Sequence, residues 1–288
     1  MKRLNPHSVR QQGFTLVEMI MVIVITGIIG SMVAVFLKSP IQQYVDVARR
    51  AELTDIADTA VRRMARDIRA AAPNSVRIAG CGGVPCVEFL QTKDGGRYRV
   101  AGAGDPLDFD GNDNQFDTVG AVDVAKDDYV VVGSTQSDGS VAYDSGVGGG
   151  LRKVSDVAGA VTLAAGLPQT AELDSHRFAV VDSAQQAVTY ACVGALGALD
   201  ANQNGQAKLM RYWGYGFHAV QQTAAGIASN AAPVTAHSAA VLADKVSACQ
   251  FEYDVPNQRF GLLAVRLTLT SGNESVSLYH EVHVNNAP

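Results

Sequence analysis

The stretch QQGFTLVEMIMVIVITGIIG, residues 11–30, opens an apolar run that continues to residue 37. Between residues 14 and 37, the only ionisable side chain is that of Glu18. A helix over this run would be about 36 Å long, whereas the hydrocarbon core of a bilayer is about 30 Å thick. No other part of the sequence has a comparable run. The sequence therefore predicts one transmembrane helix over residues 14–37.

A short basic leader precedes the apolar run. Residues 1–13 contain Lys2, Arg3 and Arg10 and no acidic residue. A secretory signal peptide would be followed by a cleavage site with small residues at alternate positions. The sequence AVFLKSPIQQ at the end of the run has no such site. We therefore expect the helix to be retained as a membrane anchor.

Helical periodicity continues beyond the apolar run. Residues 38–72 are predicted to form an amphipathic continuation of the helix, which ends before Pro73 because proline cannot extend the hydrogen-bond ladder. Pro40 predicts a kink near the membrane surface. Gly27 and Gly30 weaken the helix or allow another helix to approach closely. The predicted apolar stripe consists of Ile41, Tyr44, Ala48, Leu53, Ile56, Ala60, Met64 and Ile68.

After residue 72 the pattern changes to short β-rich runs separated by turns, which predicts a globular β domain over residues 73–288. The surest element is a hairpin around TSGNE, residues 270–274. The fold class is therefore α+β, a long N-terminal helix packed on a C-terminal antiparallel sheet. Strands are predicted near residues 87–92, 97–100, 128–133, 161–164, 178–182, 187–193, 208–217, 246–253, 260–269 and 275–284. Loops are predicted near residues 101–127, 134–150 and 219–238.

The four cysteines bear on the cellular compartment. An even number of cysteines in a chain with an export signal favours two disulfides and an oxidising compartment. Of the three possible connectivities, we favour the local pair Cys81–Cys86 with Cys192–Cys249, because a turn-forming tetrapeptide separates the first two. Four free thiols and a Cys₄ zinc site remain alternatives.

Charge limits the possible partners of the domain. The chain has a net charge of −5, and subtracting the three leader cations leaves −8 for the rest. This balance disfavours binding of nucleic acid or anionic lipid by the domain as a whole. Basic residues are nearly equal on the two sides of the apolar run, so the cysteines favour a periplasmic C-terminal domain.

Glu18 is an unusual residue for a membrane helix, since a buried carboxylate costs about 2.5–3.5 kcal/mol on insertion scales. Cleavage between Gly13 and Phe14 would create a new ammonium group one helical turn from Glu18. In two staggered parallel helices, Glu18 of one chain could then reach Phe14 of the next. We expect assembly to provide the carboxylate with a partner that a single subunit lacks, which would fix the register.

The segment GFTLVEMIMVIVITGIIG, residues 13–30, closely resembles the processing and assembly segment of type IV prepilins and type II secretion pseudopilins. The resemblance implies that a prepilin peptidase cuts after Gly13 and N-methylates Phe14. It also implies that Glu18 is the assembly glutamate. The protein would then be a structural subunit and a substrate of that peptidase, not an enzyme.

A finer resemblance extends over much of the chain, including CGGVPCVEFL, LMRYWGYGF and the C-terminal hairpin. These stretches resemble minor pilin-like components of the mannose-sensitive haemagglutinin (MSHA) pilus system, and the arrangement is similar to J-type pseudopilins. The resemblance implies a subunit of the bacterial inner membrane, and possible display at a pilus tip or the cell surface. It would help to initiate or cap a filament.

The partners implied by this resemblance are other minor pilins or pseudopilins, the major pilin and the inner-membrane assembly platform. One departure is that Val33, Ala34 and Val35 occupy the region where filament-forming major pilins usually carry a proline. This departure favours a position at or near the tip. The alternatives are a minor pseudopilin of type II secretion and a tip-displayed module for ligand binding or adhesion.

Two acidic segments could bind calcium. The sequence DFDGNDN places oxygen ligands at alternate positions, namely Asp108, Asp110, Asn112 and Asn114. The sixth position of the calcium-loop pattern is Asp113 instead of glycine, so a polar turn is the alternative. DANQNG, residues 200–205, has the same two interpretations. No other cofactor is expected.

The aromatic cluster RYWGYGF, residues 211–217, also has two interpretations. It can form sheet core against the helix stripe, or an exposed patch that binds a partner. We favour the first.

Overall fold

The computed structural model describes residues 13–79, 81–136, 138–257 and 260–287. Its fold is α+β, as predicted: a long N-terminal helix is followed by an antiparallel β domain. Helix α1 spans Leu16–Arg69, and Pro40 lies inside it without ending it. At the C-terminal end, the Ala70 and Ala71 amides donate to carbonyls three residues back, which tightens the last turn before the chain leaves the helix.

Twelve strands and one short helix follow in the described part of the chain. The strands are β1 Cys86–Leu90, β2 Thr92–Arg97, β3 Gln115–Phe116, β4 Tyr129–Val132, β5 Leu151–Asp156, β6 Val161–Leu163, β7 Arg177–Val181, β8 Ala187–Val193, β9 Ala207–Trp213, β10 Ser238–Asn257, β11 Phe260–Ser271 and β12 Glu274–Asn285. Helix α2 spans Ala224–Ala228, and a 3₁₀ turn spans Gln169–Ala171.

The strands form two six-stranded sheets. The first has the order β1-β8-β9-β10-β11-β12, and the second has the order β2-β7-β4-β5-β6-β3. All pairings between these strands are antiparallel. The second sheet packs on the β1-β8-β9 part of the face of the first sheet that lies opposite α1, since these strands share a buried cluster with β4, β5 and β7.

One face of the first sheet packs against the C-terminal part of α1. Leu53, Ala57, Met64 and Ile68 of α1 are buried in a cluster with side chains from β1, β8, β9, β10, β11 and β12. The other face contributes residues such as Leu90, Ala191 and Tyr212 to a second cluster, which also contains Val131 and Val181 of the second sheet. Because alternate residues of a strand point to opposite faces, β1, β8 and β9 contribute side chains to both clusters, whereas β10, β11 and β12 contribute only to the cluster against α1.

A third cluster lies on the far side of the second sheet. It contains Val130 and Val132 of β4, Val180 of β7, and aromatic side chains that include Tyr98 and Phe116. These side chains alternate with Val131 and Val181, which face the first sheet. Both faces of the second sheet are therefore covered.

The predicted apolar stripe of the helix is only partly correct. Leu53, Ala60, Met64 and Ile68 are buried, and Ile56 packs partly buried against them. In contrast, Ile41, Tyr44 and Ala48 are exposed. The upstream residues keep the helical periodicity although they are exposed, so periodicity alone did not show where the domain begins.

The chain divides into two compact units, residues 1–49 and residues 50–288. In the first unit, none of the residues whose exposure is described is buried. The second unit contains the C-terminal part of α1, both sheets and all three hydrophobic clusters.

The C-terminal hairpin agrees with the prediction. β11 and β12 pair over their whole length and are joined by Gly272 and Asn273, which have φ values of +57° and +75°. Two residues with positive φ are typical of a type I′ turn, whose twist matches that of the flanking strands.

Several other predicted elements differ from the structure. The predicted strand over residues 97–100 is wrong, because the strand at this position is β2, which ends at Arg97. Strands β3 and β5 were predicted as loop or left unassigned. The predicted loop over residues 219–238 contains α2, whose N-terminus is capped by the Thr223 hydroxyl, which accepts a hydrogen bond from the Gly226 amide.

Candidate functional site

The N-terminus of α1 is fixed by a reciprocal pair of hydrogen bonds. Residues 13–15 are not helical, and the helix begins at Leu16. The Glu18 amide donates to the Thr15 hydroxyl at 3.3 Å, and the Thr15 amide donates to Oε2 of Glu18 at 3.2 Å. The Thr15 hydroxyl also donates to Oε2 at 3.2 Å. This arrangement is a capping box, in which Thr15 is the N-cap and Glu18 is the third helical residue.

The sequence analysis did not recognise this role of Thr15. The pattern T-x-x-E before an apolar run is the signature of a capping box and is present in the sequence as Thr15 to Glu18. In a single chain, Oε2 of Glu18 already accepts two hydrogen bonds from Thr15, but neither donor carries a charge.

Oε1 of Glu18 accepts no hydrogen bond from the described residues of the chain. A carboxylate has acceptor positions on both oxygens. The capped helix end can therefore still offer one carboxylate oxygen to a donor from outside.

Three glycines of the N-terminal segment lie in open space. A Cβ atom added at Gly13, Gly27 or Gly30 would meet nothing within 4 Å, and none of the three has a φ in the left-handed region. The fold of this chain therefore does not require glycine at these positions. If glycine is required at these positions, the reason is a molecule that binds close to them, such as an enzyme at Gly13 or a second helix at Gly27 and Gly30.

Comparison with known proteins gives one match at this end of the chain. Residues 9–34 match the family described as the prokaryotic N-terminal methylation motif. No curated protein and no solved structure matches the chain. The match covers Gly13, Phe14, Thr15 and Glu18 but not the β domain.

The methylation motif coincides with a helix that could span a membrane. In the described part of the chain, α1 is the one helix long and apolar enough to do so, and its most apolar stretch has no buried residue. Together, the motif and the apolar helix fit a membrane-anchored protein of the type IV pilin or pseudopilin kind.

Two disulfides cross-link the second unit. Cys81 is bonded to Cys86, and Cys192 of β8 is bonded to Cys249 of β10, so the described chain has no free cysteine. The first disulfide closes the loop before β1. The second joins two strands that lie on either side of β9.

A buried ion pair connects β1 with the segment that follows α1. Nε of Arg77 donates to Oε2 of Glu88 at 2.9 Å, and both side chains are almost fully buried. The Tyr215 hydroxyl donates to the other oxygen of Glu88 at 2.9 Å, while the Arg77 guanidinium lies over the Tyr143 ring. Burial raises the pKa of Glu88, although the charge of Arg77 acts in the opposite direction.

A second buried cluster connects α1 with the first sheet. Asp67 accepts hydrogen bonds from the Tyr190 hydroxyl at 2.6 Å and from Nε of Arg211 at 3.1 Å. Arg211 also donates to the side-chain oxygens of Gln91 and Gln185. These contacts fix the last turns of α1 over β8 and β9, and they satisfy charges that would be costly if buried alone.

The candidate calcium residues form a turn held by its own backbone. Oδ1 of Asp110 accepts hydrogen bonds from the Asn112 and Asp113 amides, and the Asn114 side chain donates to the Leu163 carbonyl. The amides of Asp113 and Asn112 lower the pKa of Asp110. Among the described residues, no three His, Cys, Asp or Glu side chains are grouped to hold a metal.

The second acidic segment, residues 200–205, is also a turn held by its own backbone amides. Oδ1 of Asp200 accepts hydrogen bonds from the Asn202 and Asn204 amides at 2.8 Å.

The aromatic cluster of residues 211–217 is mainly core. Tyr212 and Tyr215 are buried, and Trp213 and Phe217 are half-buried. Only Trp213 packs on the helix side of the sheet, whereas Tyr212, Tyr215 and Phe217 pack between the two sheets. The prediction of core was therefore correct for the two tyrosines, but most of the cluster lies on the opposite face from the helix.

Proposed function

We propose that this chain is a pilin-like structural subunit that is processed after Gly13 and N-methylated at Phe14. The observation that carries the proposal is the N-terminal methylation motif at residues 9–34, which overlaps the one helix of the described residues that is long and apolar enough to span a membrane. The role of the chain is that of a substrate for a prepilin peptidase.

The geometry at the helix start supports a role for Glu18 in assembly. Cleavage gives Phe14 a charged amino group. In two staggered parallel helices, this amino group lies near Glu18 of the neighbouring chain. Oε2 of Glu18 is engaged by Thr15, and Oε1 remains open to that amino group. Attraction between the two charges is strong at low dielectric, although the cost of desolvation offsets part of it.

The test is to compare Glu18→Ala with Glu18→Gln. The Gln side chain can still accept the capping hydrogen bonds but carries no charge, so it separates capping from ion pairing. We expect both variants to insert, to lose residues 1–13 and to gain one N-terminal methyl group, as measured by mass spectrometry. We expect both to fail to enter filaments.

A Glu18→Gln variant that assembles like the parent chain would contradict the charge argument. Met1 still present on the protein of cells with normal filaments would contradict the whole proposal.

The finer role that we propose is that of a minor pilin in an MSHA-type pilus, similar to MshO, which helps to initiate or cap the filament. The absence of a proline from residues 31–37 supports a position near the tip. Its partners would be other minor pilins, the major pilin and the inner-membrane assembly platform, with the β domain in the periplasm.

Deletion of the gene tests the finer role. We expect loss of surface pili, since an initiating subunit is needed before the major pilin can polymerise. Normal pili combined with loss of protein secretion would instead identify a type II secretion pseudopilin, and normal pili that do not adhere would identify a tip adhesin.

A further inference from the structure

An arginine-lined cavity lies in the second unit, away from the N-terminal motif. It has a volume of about 470 Å³, within the range of small-molecule sites. Three arginines from different elements line it: Arg69 from the last turn of α1, Arg97 from the end of β2 and Arg177 from the start of β7.

All three arginines are exposed, and two of them lie next to each other in neighbouring strands. Arg97 and Arg177 lie directly opposite each other in the register of β2 and β7. Like charges at directly opposite positions destabilise a sheet. Acidic residues outnumber lysines and arginines in the chain, 28 to 23. An ion pair with an acidic side chain would therefore be the ordinary way to reduce this repulsion. Within the described residues, none of the three arginines forms an ion pair.

The one acidic residue that lines the cavity is already engaged. Oδ1 of Asp94 accepts a hydrogen bond from the Gly95 amide at 2.8 Å, and Oδ2 accepts one from the Asp123 amide at 2.6 Å. The Asp123 and Gly95 amides lower the pKa of Asp94, so this carboxylate stays ionised while it is held by the backbone. Three cations against one anion leave the lining of the cavity positive.

Ser134 also lines the cavity, but it is only 2% exposed and its hydroxyl oxygen is buried below the surface. The three arginines are therefore the side chains that can reach an anion bound in the cavity.

We propose that this cavity binds a small organic molecule that carries a phosphate or sulfate group. Planar guanidinium groups match the oxygens of these anions with paired hydrogen bonds. The cavity is larger than a bare oxyanion requires. Pro73, Val131 and Phe178 provide an apolar part of the lining for the remainder of the molecule.

The test is calorimetry on the full-length chain in detergent at constant ionic strength. The probes are inorganic phosphate, inorganic sulfate, glucose 6-phosphate and glucose. We expect glucose 6-phosphate to bind more tightly than either inorganic ion, and glucose not to bind. If only the two inorganic ions bind, the cavity is a site for a free oxyanion, and the proposal of an organic ligand is wrong. Heats that do not saturate with any of the four probes would overturn the whole proposal.

Substitutions connect the binding to the cavity. We expect Arg177→Gln to weaken glucose 6-phosphate binding at least 10-fold, and Arg177→Lys to weaken it less. The matched control is Arg62→Gln, because Arg62 is an exposed arginine of α1 that pairs with Asp58 and does not line the cavity. Equal affinity in Arg177→Gln and Arg62→Gln would overturn the assignment.

The melting temperature of the ligand-free protein tests whether the arginines have only a structural role. Arg97→Gln and Arg177→Gln should each raise the melting temperature of the ligand-free protein, since each removes one of two opposed like charges. If both variants instead lower it, the arginines stabilise the fold itself and the proposal is wrong.

Discussion

Thr15 and Glu18 stabilise the first turn of α1 through the hydrogen bonds between their side chains and backbone amides. Loss of an N-cap side chain typically costs about 1 kcal/mol, which corresponds to about a five-fold change in an opening equilibrium. We predict that Thr15→Ala raises the hydrogen-exchange rate of the Glu18 amide about five-fold in detergent micelles.

The matched control for this prediction is Thr15→Ser, which keeps the hydroxyl and should exchange as the parent does. Equal exchange rates in the Ala and Ser variants would show that the capping box does not stabilise the first turn.

The buried ion pair of Arg77 and Glu88 allows a second prediction at the scale of single residues. Removal of one partner from a buried ion pair leaves an uncompensated charge and costs about 3–5 kcal/mol. We predict this loss for Arg77→Met at neutral pH, measured by urea unfolding. The double variant Arg77→Met/Glu88→Gln should recover much of the loss, because no buried charge remains. A double variant as unstable as the single one would contradict this account.

The pH dependence of the Arg77→Met variant has a definite sign. The pKa of Glu88 is already raised in the folded parent chain, and loss of the Arg77 charge raises it further. The folded state then holds a proton that the unfolded state releases, so stability falls as pH rises above the ordinary glutamate value. We expect the deficit of the variant to shrink as pH is lowered towards that value. A deficit independent of pH would show that Glu88 does not titrate in this range.

At the scale of elements, the predictions succeeded where the local sequence decides the structure. The long helix follows from an apolar run joined to a helical repeat, and the β11–β12 hairpin follows from strict alternation on both sides of Gly272 and Asn273. Strand β8 has the predicted bounds.

The predictions failed where pairing to a distant strand decides the structure. Strand β2 has the sequence TKDGGR, whose Asp-Gly-Gly run is typical of a turn, yet it pairs with β7. Strand β5, LRKVSD, has few apolar residues and is held between β4 and β6. No local pattern distinguishes such strands from loops, because their stability comes from partners far along the chain.

The two disulfides allow a prediction at the same scale. They join residues separated by 57 and by 5 positions. By the chain-entropy relation, loss of Cys192–Cys249 should cost about 4 kcal/mol and loss of Cys81–Cys86 about 2 kcal/mol. We predict that urea unfolding of the two double Cys→Ala variants gives this order. A greater loss from the Cys81–Cys86 variant would show that native-state contacts outweigh loop closure.

At the scale of the whole molecule, the two units differ in what stabilises them. Residues 50–288 contain three buried clusters and two disulfides, whereas residues 13–49 have no described buried side chain. We predict that the fragment 50–288 is folded and soluble without detergent, and that it unfolds at the temperature of the domain in the full chain. Gel filtration and circular dichroism check this.

Aggregation of the fragment, or loss of its cooperative unfolding, would show that the apolar segment is needed for folding of the domain.

The sequence revealed the N-terminal part of the candidate site but not the rest. Gly13, Phe14 and Glu18 form a contiguous motif, so they can be found without a structure. The Arg77–Glu88 pair and the arginine-lined cavity bring together residues from distant segments, and no spacing along the chain indicates that they meet. The capping role of Thr15 lies between these cases, since its signature was present in the sequence and was overlooked.

The non-helical residues 13–15 have a consequence for proteolysis. Peptidases bind their substrates in extended form, and a scissile bond inside a helix would first have to unwind. Here the capping box starts the first helical turn two residues beyond the Gly13–Phe14 bond. A peptidase that cuts at this bond therefore meets an exposed, non-helical segment, and the helix behind it can stay intact throughout the reaction.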